Sequence, residues 1–408
     1  MKRTKTPVLP GSHLEQRVRE TGSTLSDCLS AVLDALPGAP HGPQALATAL
    51  ALDKVLTSRL LKAVRSTDPI SVVHRAPGPE PIRRLLRAAK RKGVGAPLVD
   101  AGESAVSDFE NLIRTEAGDR SSLGAMLSAW LPEARQEFEL RRKQSAFKAM
   151  SQLKGVCADV DFSSVLLAPS DDGQHLDVVW VLGQYGVQRL RPGTTVKFVT
   201  RRVEHDAAER RPADLSGAPI SDIDDVRLDQ FCHAPPAPLV ASRHGDDVQY
   251  TLGDSGFGPR STVDVVLAEV NRREIRRYVP AAENRKSYVF AEVSTPVKLL
   301  VFDVYVHRDV YPNSEPELFI YDTHGSGIAD PNDSSRDVDQ FDTVEDLRRL
   351  RTDEVFAGEV PKQRELVGEV FERLDWDRDV FRIYRCRVEY PIYGSQLTIV
   401  FDPPSGPV

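Results

Sequence analysis

The chain has 408 residues, 40% of them hydrophobic and 28% charged, which is ordinary for a globular protein and long enough for two or three domains. Its four cysteines lie far apart and form no CxxC pair, which excludes a disulfide scaffold and a zinc ribbon and fits a reducing compartment. No apolar run approaches a membrane span, and the basic N-terminus lacks the apolar stretch of a secretory signal. We therefore expect a cytoplasmic protein with no membrane partner.

Charge is distributed unevenly along the chain. Residues 1–155 contain 24 Lys and Arg against 16 Asp and Glu, a balance of +8, whereas residues 156–408 contain 29 against 44, a balance of −15. A polyanionic partner is therefore expected to meet the N-terminal part. The alternative is that both parts simply carry solvated charges.

The N-terminal part shows helical periodicity. Residues 1–22 are expected to form a flexible arm, and a first helix is predicted from Thr24, with Ser23 or Thr24 as its N-cap. Pro43 suits the first turn of a second helix that ends near Leu50. Asp53 can cap a third helix, over residues 54–65.

A short β-prone segment, residues 70–75 (ISVVHR), follows the third helix and is interpreted as one strand of a wing. A fourth helix is predicted over residues 81–92, and further helices over residues 104–118 and 132–153. The last of these, over residues 132–153, is charged and long, and is our candidate dimerisation helix. It carries Phe138, Ala146, Met150 and Leu153 on one flank.

After Gly155 the pattern changes to short runs rich in Val, Ile, Phe and Tyr, separated by Gly, Pro, Asp and Asn. This pattern indicates a mainly antiparallel β-sandwich or jelly-roll-like region. Residues 205–250 and 322–342 are expected to be loops, and residues 343–350 (TVEDLRRL) a helix. The predicted fold class is therefore α+β. The domains are an arm over 1–22, a winged helix-turn-helix over 23–95, a helical connector over 96–155 and a β-rich region over 156–408.

The second and third helices, residues 43–65, carry the clearest functional pattern. At 100° per residue, Leu56, Leu60, Ala63 and Val64 fall on one side of the third helix. Lys54, Ser58, Lys62 and Arg65 fall on the other, where hydroxyls and cations would meet base edges and phosphates. The alternative is a solvated basic face. Leu61 lies near the polar side, where it would contact either a partner or a thymine methyl.

This segment resembles the winged helix-turn-helix of IclR- and MarR-type bacterial regulators over about residues 24–80. The resemblance lies in residues 45–47 (ALA), in Asp53-Lys54 at the turn and in residues 58–63 (SRLLKA). It implies binding of double-stranded DNA by a homodimer. Similar modules serve only for dimerisation in some methyltransferases. The sequence departs from the pattern at the wing, because residues 77–79 (PGP) leave no room for a long hairpin. His74 and Arg75 are the candidate DNA contacts of the shortened wing.

The fourth helix adds a second basic face for phosphate contacts, or a merely solvated one. The candidate DNA-binding residues are Lys54, Ser58, Arg59, Lys62, Arg65, His74, Arg75, Arg83, Arg87 and Arg91.

Motifs that suggest an enzyme are weak. Residues 253–256 (GDSG) resemble the serine-protease motif, but Phe257 follows where that family has glycine. A hard-metal site is conceivable at Asp322, His324, Asp330, Asp333 and Asp337, but their spacing matches no EF-hand, and the chain contains no P-loop, Rossmann fingerprint or HExxH. We expect no catalytic residues, no metal and no cofactor.

Two functions remain. The first is a sequence-specific transcriptional regulator whose β-rich region senses an unidentified ligand or contacts a protein. The second is a non-enzymatic interaction or structural protein in which the winged helix only dimerises. Internal salt bridges at Lys54, Lys62 and Arg65 would favour the second.

Overall fold

The computed structural model describes residues 13–38, 42–202, 212–220, 222–244, 247–253, 256–280, 282–351, 354 and 358–406. The chain divides into two compact units, Met1–Glu139 and Leu140–Val408. The described part of the first is helical, and the second is dominated by strands. The chain is thus α+β, as predicted. No helix among the described residues is both long and apolar enough to cross a bilayer.

The first unit packs its helices around one core of Leu, Val, Ile and Ala side chains, in which Leu25, Leu60 and Leu86 are fully buried. Its helices are α1 (His13–Asp34), α2 (Pro43–Leu50), α3 (Lys54–Val64), α4 (Pro69–Arg75), α5 (Pro79–Arg91), α6 (Ala96–Leu112), a π-helical turn (Ile113–Ala117), α7 (Arg120–Ser128) and the first residues of α8 (Pro132–Lys154).

Helix α1 begins well before the predicted start of the first helix. Residues 13–22, predicted as part of a flexible arm, are helical, and Ser23 and Thr24 lie inside α1 rather than at its N-cap. Val18 and Gly22 are buried, because they continue the apolar stripe of Leu25 and Leu29 at helical spacing. Residues 1–12 lie outside the described part of the chain.

The predicted wing strand is wrong, because residues 70–75 belong to helix α4. Asp68 is the N-cap of α4: its carboxylate accepts a hydrogen bond from the backbone N–H of Ser71 (2.9 Å), and Pro69 occupies the first turn. Ile70 and Val73, three residues apart, both enter the core. Between α1 and β1 the described residues contain no strand, so no wing is seen among them.

The second unit is built on a seven-stranded sheet in the order β11-β12-β9-β1-β2-β7-β4, antiparallel except for the parallel β1–β9 pair. Two three-stranded sheets, β10-β13-β8 and β3-β6-β5, accompany it, and none of the three closes into a barrel in the described chain. The strands are β1 (Val156–Pro169), β2 (His175–Arg189), β3 (Val196–Arg202), β4 (Pro212–Ala213), β5 (Leu239–His244), β6 (Asp247–Leu252), β7 (Val263–Arg276), β8 (Ser287–Glu292), β9 (Val297–His307), β10 (Glu317–Asp322), β11 (Leu347–Leu350), β12 (Phe381–Glu389) and β13 (Ser395–Phe401).

Both faces of the large sheet are covered. On one face, Phe302 and Val304 of β9 share a core with Leu397 of β13 and Leu252 of β6, so the small sheets pack against the large one. On the other face, a further helix, α9 (Gln363–Leu374), buries Leu366, Val367, Val370 and Phe371 against the sheet. Burial on both sides explains why β9 is an almost continuous apolar run.

Three predictions for this unit are wrong. Residues 347–350, predicted to lie in a helix, form strand β11 paired with β12. Helix α9 was not predicted at all. Strand β5 and the first residues of β6 form an antiparallel pair within residues 205–250, which were predicted as loop.

Helix α8 ends as predicted, just before Gly155, which adopts a left-handed φ of 73°. Its residues from Leu140 onward belong to the second unit. There Lys143 forms an ion pair with Glu345, and Phe147 packs edge-on against Tyr390 with ring centroids 5.4 Å apart. On the flank proposed for dimerisation, Leu153 is 72% exposed.

Candidate nucleic-acid interface

Helices α2 and α3 are joined by a three-residue turn. Ala51, at its start, is left-handed (φ 51°, ψ 49°), a conformation that this kind of turn often gives to glycine. Asp53 caps α3 as predicted, accepting hydrogen bonds from the backbone N–H groups of Val55 (2.8 Å) and Leu56 (3.1 Å). The buried hydroxyl of Thr57 donates to the carbonyl of Pro43 (2.9 Å), so α3 is tied to the start of α2. This is the connection expected of a helix-turn-helix.

One face of α3 is buried and the opposite face is exposed and basic. The buried side chains are Thr57, Leu60, Leu61 and Ala63. Leu61 was predicted near the polar side, but it is 6% exposed and therefore cannot contact a partner. We call the opposite side the α3 surface: Lys54, Val55, Ser58, Arg59 and Lys62, of which Ser58 is half-buried and the others are exposed.

The cations of the α3 surface are not neutralised. Among the described residues, no acidic side chain forms an ion pair with Lys54, Arg59 or Lys62. Asp53 directly precedes Lys54 in sequence, and its carboxylate is engaged in capping α3. At Lys54 and Lys62, the neutralisation that would favour a dimerisation-only module is therefore not observed.

The end of α4 extends this basic surface. The guanidinium of Arg75 donates to the hydroxyl of Ser66 (3.3 Å), which in turn donates to the carbonyl of Lys62 (2.9 Å). Arg65, at the C-cap of α3, and Arg75 are exposed, whereas His74 is half-buried. Arg75 and His74, predicted on a wing, therefore lie on a helix, and Arg75 is connected to the C-terminal end of α3.

Arg120 of α7 stabilises the C-terminal end of α4. Its Nη2 donates to the carbonyls of Val73 (2.9 Å), His74 (2.7 Å) and Ala76 (3.1 Å), and so satisfies carbonyl groups at the C-terminal end of α4. Burial, and secondarily the positive charge of Arg59, lower the pKa of Arg120 to about 10. Arg59 is thus close enough to another guanidinium to add to a positive local potential.

The basic face of α5 is more neutralised than that of α3. Arg83 pairs with Glu110 (2.6 Å) and Glu103 (3.5 Å) of α6, and Arg87 pairs with Glu80. Arg91 is exposed and forms no ion pair with a described residue. Of the three predicted phosphate contacts on this helix, Arg83 therefore has a structural partner, and Arg91 is the most available.

The structural division of the chain also changes the charge balance. Residues 1–139 carry 19 Lys and Arg against 16 Asp and Glu, a balance of +3, because five cations of α8 fall in the second unit. The net positive charge of the first unit is therefore small, and the case for a polyanionic partner depends on which of its cations are exposed and unpaired.

Sequence reasoning missed two residues of this interface, Val55 and Arg120. Val55 is 66% exposed, and at 100° per residue it lies on the same side as Arg59 and Lys62, so the spacing contained the signal. Arg120 has no such signal, because its role depends on a contact between α7 and α4 that only the tertiary structure creates.

The strand-rich unit contains the conceivable metal ligands and the GDSG segment. Among the described residues, no three His, Cys, Asp or Glu side chains are placed to hold a metal. Two of the conceivable metal ligands, Asp322 and Asp333, stabilise turns. Asp322 accepts a hydrogen bond from the backbone N–H of His324 and Asp333 from that of Ser335, both at 2.9 Å. The serine of the GDSG segment, Ser255, and Asp254 lie outside the described residues.

Comparisons with known proteins give no family. No family model matches the chain, and no curated protein matches it. Among solved structures, a candidate protease from Parabacteroides distasonis is 6% identical, with a TM-score of 0.26 over 60% of this chain and 40% of that one. A variant of the M1 zinc metallopeptidase of Deinococcus radiodurans is 11% identical, with a TM-score of 0.23 over 60% of this chain and 42% of that one. The chain thus spans less than half of either protein, and similarities this low support no argument about fold or function.

Proposed function

We propose that the chain is a sequence-specific DNA-binding protein in which α2 and α3 form a helix-turn-helix and α3 is the recognition helix. The observation that carries the proposal is the α3 surface, where Lys54, Arg59 and Lys62 are exposed without an acidic partner among the described residues. An exposed helix face with cations and a hydroxyl opposite a buried apolar face is what insertion into a major groove requires.

We assign the cations on and around the α3 surface to different contacts. Arg59 and Lys62, together with Ser58, are assigned to base edges. Lys54, Arg65, Arg75, Arg87 and Arg91 are assigned to phosphates, and His74 is assigned to the rim of this surface. Arg83 is assigned to packing of α5 on α6, because both of its carboxylate partners lie on α6. The described residues of the module include no wing strand, and α4 lies where the wing was expected.

The proposal extends to transcriptional regulation by a dimer, in which the strand-rich unit senses a ligand or mediates assembly. Helix-turn-helix proteins commonly bind two-fold sites as dimers. The exposed flank of α8 around Leu153 is the assigned dimer contact.

A second candidate function, a protein-interaction module, is favoured by one observation. Val55, at the centre of the α3 surface, is an apolar side chain left 66% exposed. If the surface were an interface between helices, Val55 would be its anchor.

The two functions are separated by selecting duplexes from a random pool with the full chain, then measuring binding of the winner and of a scrambled duplex. Arg59→Ala and Lys62→Ala should each reduce discrimination between the two duplexes by about 1–3 kcal/mol, as expected for a lost base contact. Lys148→Ala, which removes an exposed cation from α8, is the control and should leave discrimination unchanged. If no sequence is enriched, or if Lys62→Ala matches the parent chain on both duplexes, the interaction module is the better account.

A further inference from the structure

We propose that Val55 is a specificity-determining residue that contacts the 5-methyl group of a thymine in the major groove. This inference rests on the proposed function and names one base that the site recognises. It starts from the position of Val55 in the first turn of α3, and the N-terminal residues of a recognition helix are those that contact base edges.

The packing of α3 leaves Val55 available for such a contact. Val55 is 66% exposed, whereas Leu60, Leu61 and Ala63 of the same helix are buried. Its side chain is β-branched and therefore has essentially one preferred rotamer in a helix. The two methyl groups of Val55 thus point in a fixed direction, and little side-chain entropy is lost when a partner covers them.

The neighbours of Val55 favour DNA over an apolar protein partner. Arg59 lies one turn further along the same face and Lys62 two turns further, and neither is neutralised by a described acidic residue. Val55 is the one large hydrophobic side chain of α3 that is exposed. A helix-packing interface would need an apolar stripe, not a single valine among cations. A polyanion with an isolated apolar group matches this surface, and the thymine methyl is the apolar group that base pairs present in the major groove.

Removal of that methyl group from the DNA gives a direct test. In the selected duplex, each thymine is replaced in turn by uracil, which lacks the 5-methyl group and keeps the same hydrogen-bonding edge. For the parent chain, we expect one thymine position per half-site at which the replacement weakens binding about fourfold, the equivalent of one buried methyl-sized group. Elsewhere in the site, uracil should have little effect.

The variant Val55→Ala identifies the residue that makes this contact. Alanine is the best helix former, so the variant is expected to fold. With Val55→Ala, uracil and thymine should bind equally at the sensitive position, while Val338→Ala, at an exposed valine outside α3, should keep the fourfold difference. An unchanged uracil effect in Val55→Ala overturns the inference and leaves DNA binding intact. Failure to enrich any duplex overturns both the inference and the proposed function.

Discussion

Gly22→Ala is expected to destabilise the helical unit, because α1 and α4 touch at this position. A Cβ atom at residue 22 would lie 2.1 Å from the carbonyl oxygen of Pro69 and 2.8 Å from its carbonyl carbon, whereas ordinary contacts begin near 3.4 Å. The obstacle is backbone, so relief requires α1 and α4 to separate by about 1 Å. Such overpacking costs about 1–3 kcal/mol, or more where the backbone cannot move.

The change also has a favourable term, since alanine in a helix is better than glycine by about 1 kcal/mol. For this large clash we expect a net loss of about 2 kcal/mol. Gly124→Ala in α7 is the matched control, because its nearest neighbour would be the Arg120 guanidinium at 3.7 Å, an ordinary contact. It should be neutral or stabilising by about 0.5–1 kcal/mol. Urea denaturation followed by circular dichroism at 222 nm measures both, and equal or greater stability of Gly22→Ala would refute the packing described here.

Three further outcomes concern the strand-rich unit. Burial raises the pKa of Asp161 to about 7, although Gln184 donates a hydrogen bond to it (3.2 Å). The folded state therefore favours the protonated carboxyl, whose stabilising contribution is complete below the unfolded pKa of about 3.9 and is lost as the pH rises through about 7. The free energy of unfolding of Asp161→Asn, relative to that of the parent chain, should rise by a few kcal/mol between about pH 4 and about pH 8 in urea denaturation. A difference that does not change with pH would contradict this. Arg385→Leu should lower the free energy of unfolding by about 3–5 kcal/mol, because it leaves the fully buried Asp303 without its bidentate partner (2.6 and 2.7 Å). The control Arg387→Leu, at a more exposed pair with Glu359, should lower it by less than about 1 kcal/mol. Similar losses in the two variants would refute the distinction between the buried and the exposed pair. A fragment starting at Leu140 should melt at a higher temperature than one starting at Val156, which lacks the contacts of Lys143 with Glu345 and of Phe147 with Tyr390. The reverse order of melting temperatures would show that these contacts do not stabilise the unit.

Local signals predicted helices α2 and α3 and the turn between them, and they failed where tertiary contacts compete with them. For α3, the capping residue Asp53, the apolar stripe and the polar face all indicate the same helix, and its position was predicted correctly. At α4 the β-branched residues Ile70, Val72 and Val73 indicated a strand, but the cap at Asp68 and burial against α1 and α3 produced a helix. The stronger signal, Asp-Pro at a helix start, was present in the sequence.

The errors in the strand-rich unit have a similar cause. Residues 347–350 (LRRL) are helix-prone, but pairing with Ile383–Cys386 of β12 makes them an edge strand. Helix α9 does show helical spacing, since Leu366, Val367, Val370 and Phe371 lie on one face, but this short pattern lies between strand-like runs in the sequence. Whether Val55 or Leu61 would be exposed depended on how α3 is rotated against α1 and α2, which spacing alone does not determine.

The central claim, that the α3 surface binds DNA, is tested most directly by the salt dependence of binding. The affinity of the full chain for the selected duplex is measured over a range of salt concentrations, alongside the double variant Lys54→Ala/Arg75→Ala, which removes two exposed cations assigned to phosphates. Cations in contact with DNA release counterions, so log affinity should fall linearly with log salt concentration for the parent chain. The double variant should bind more weakly and with a slope shallower by up to about two ions. No measurable binding by the full chain, or identical slopes and affinities for both proteins, would contradict the claim.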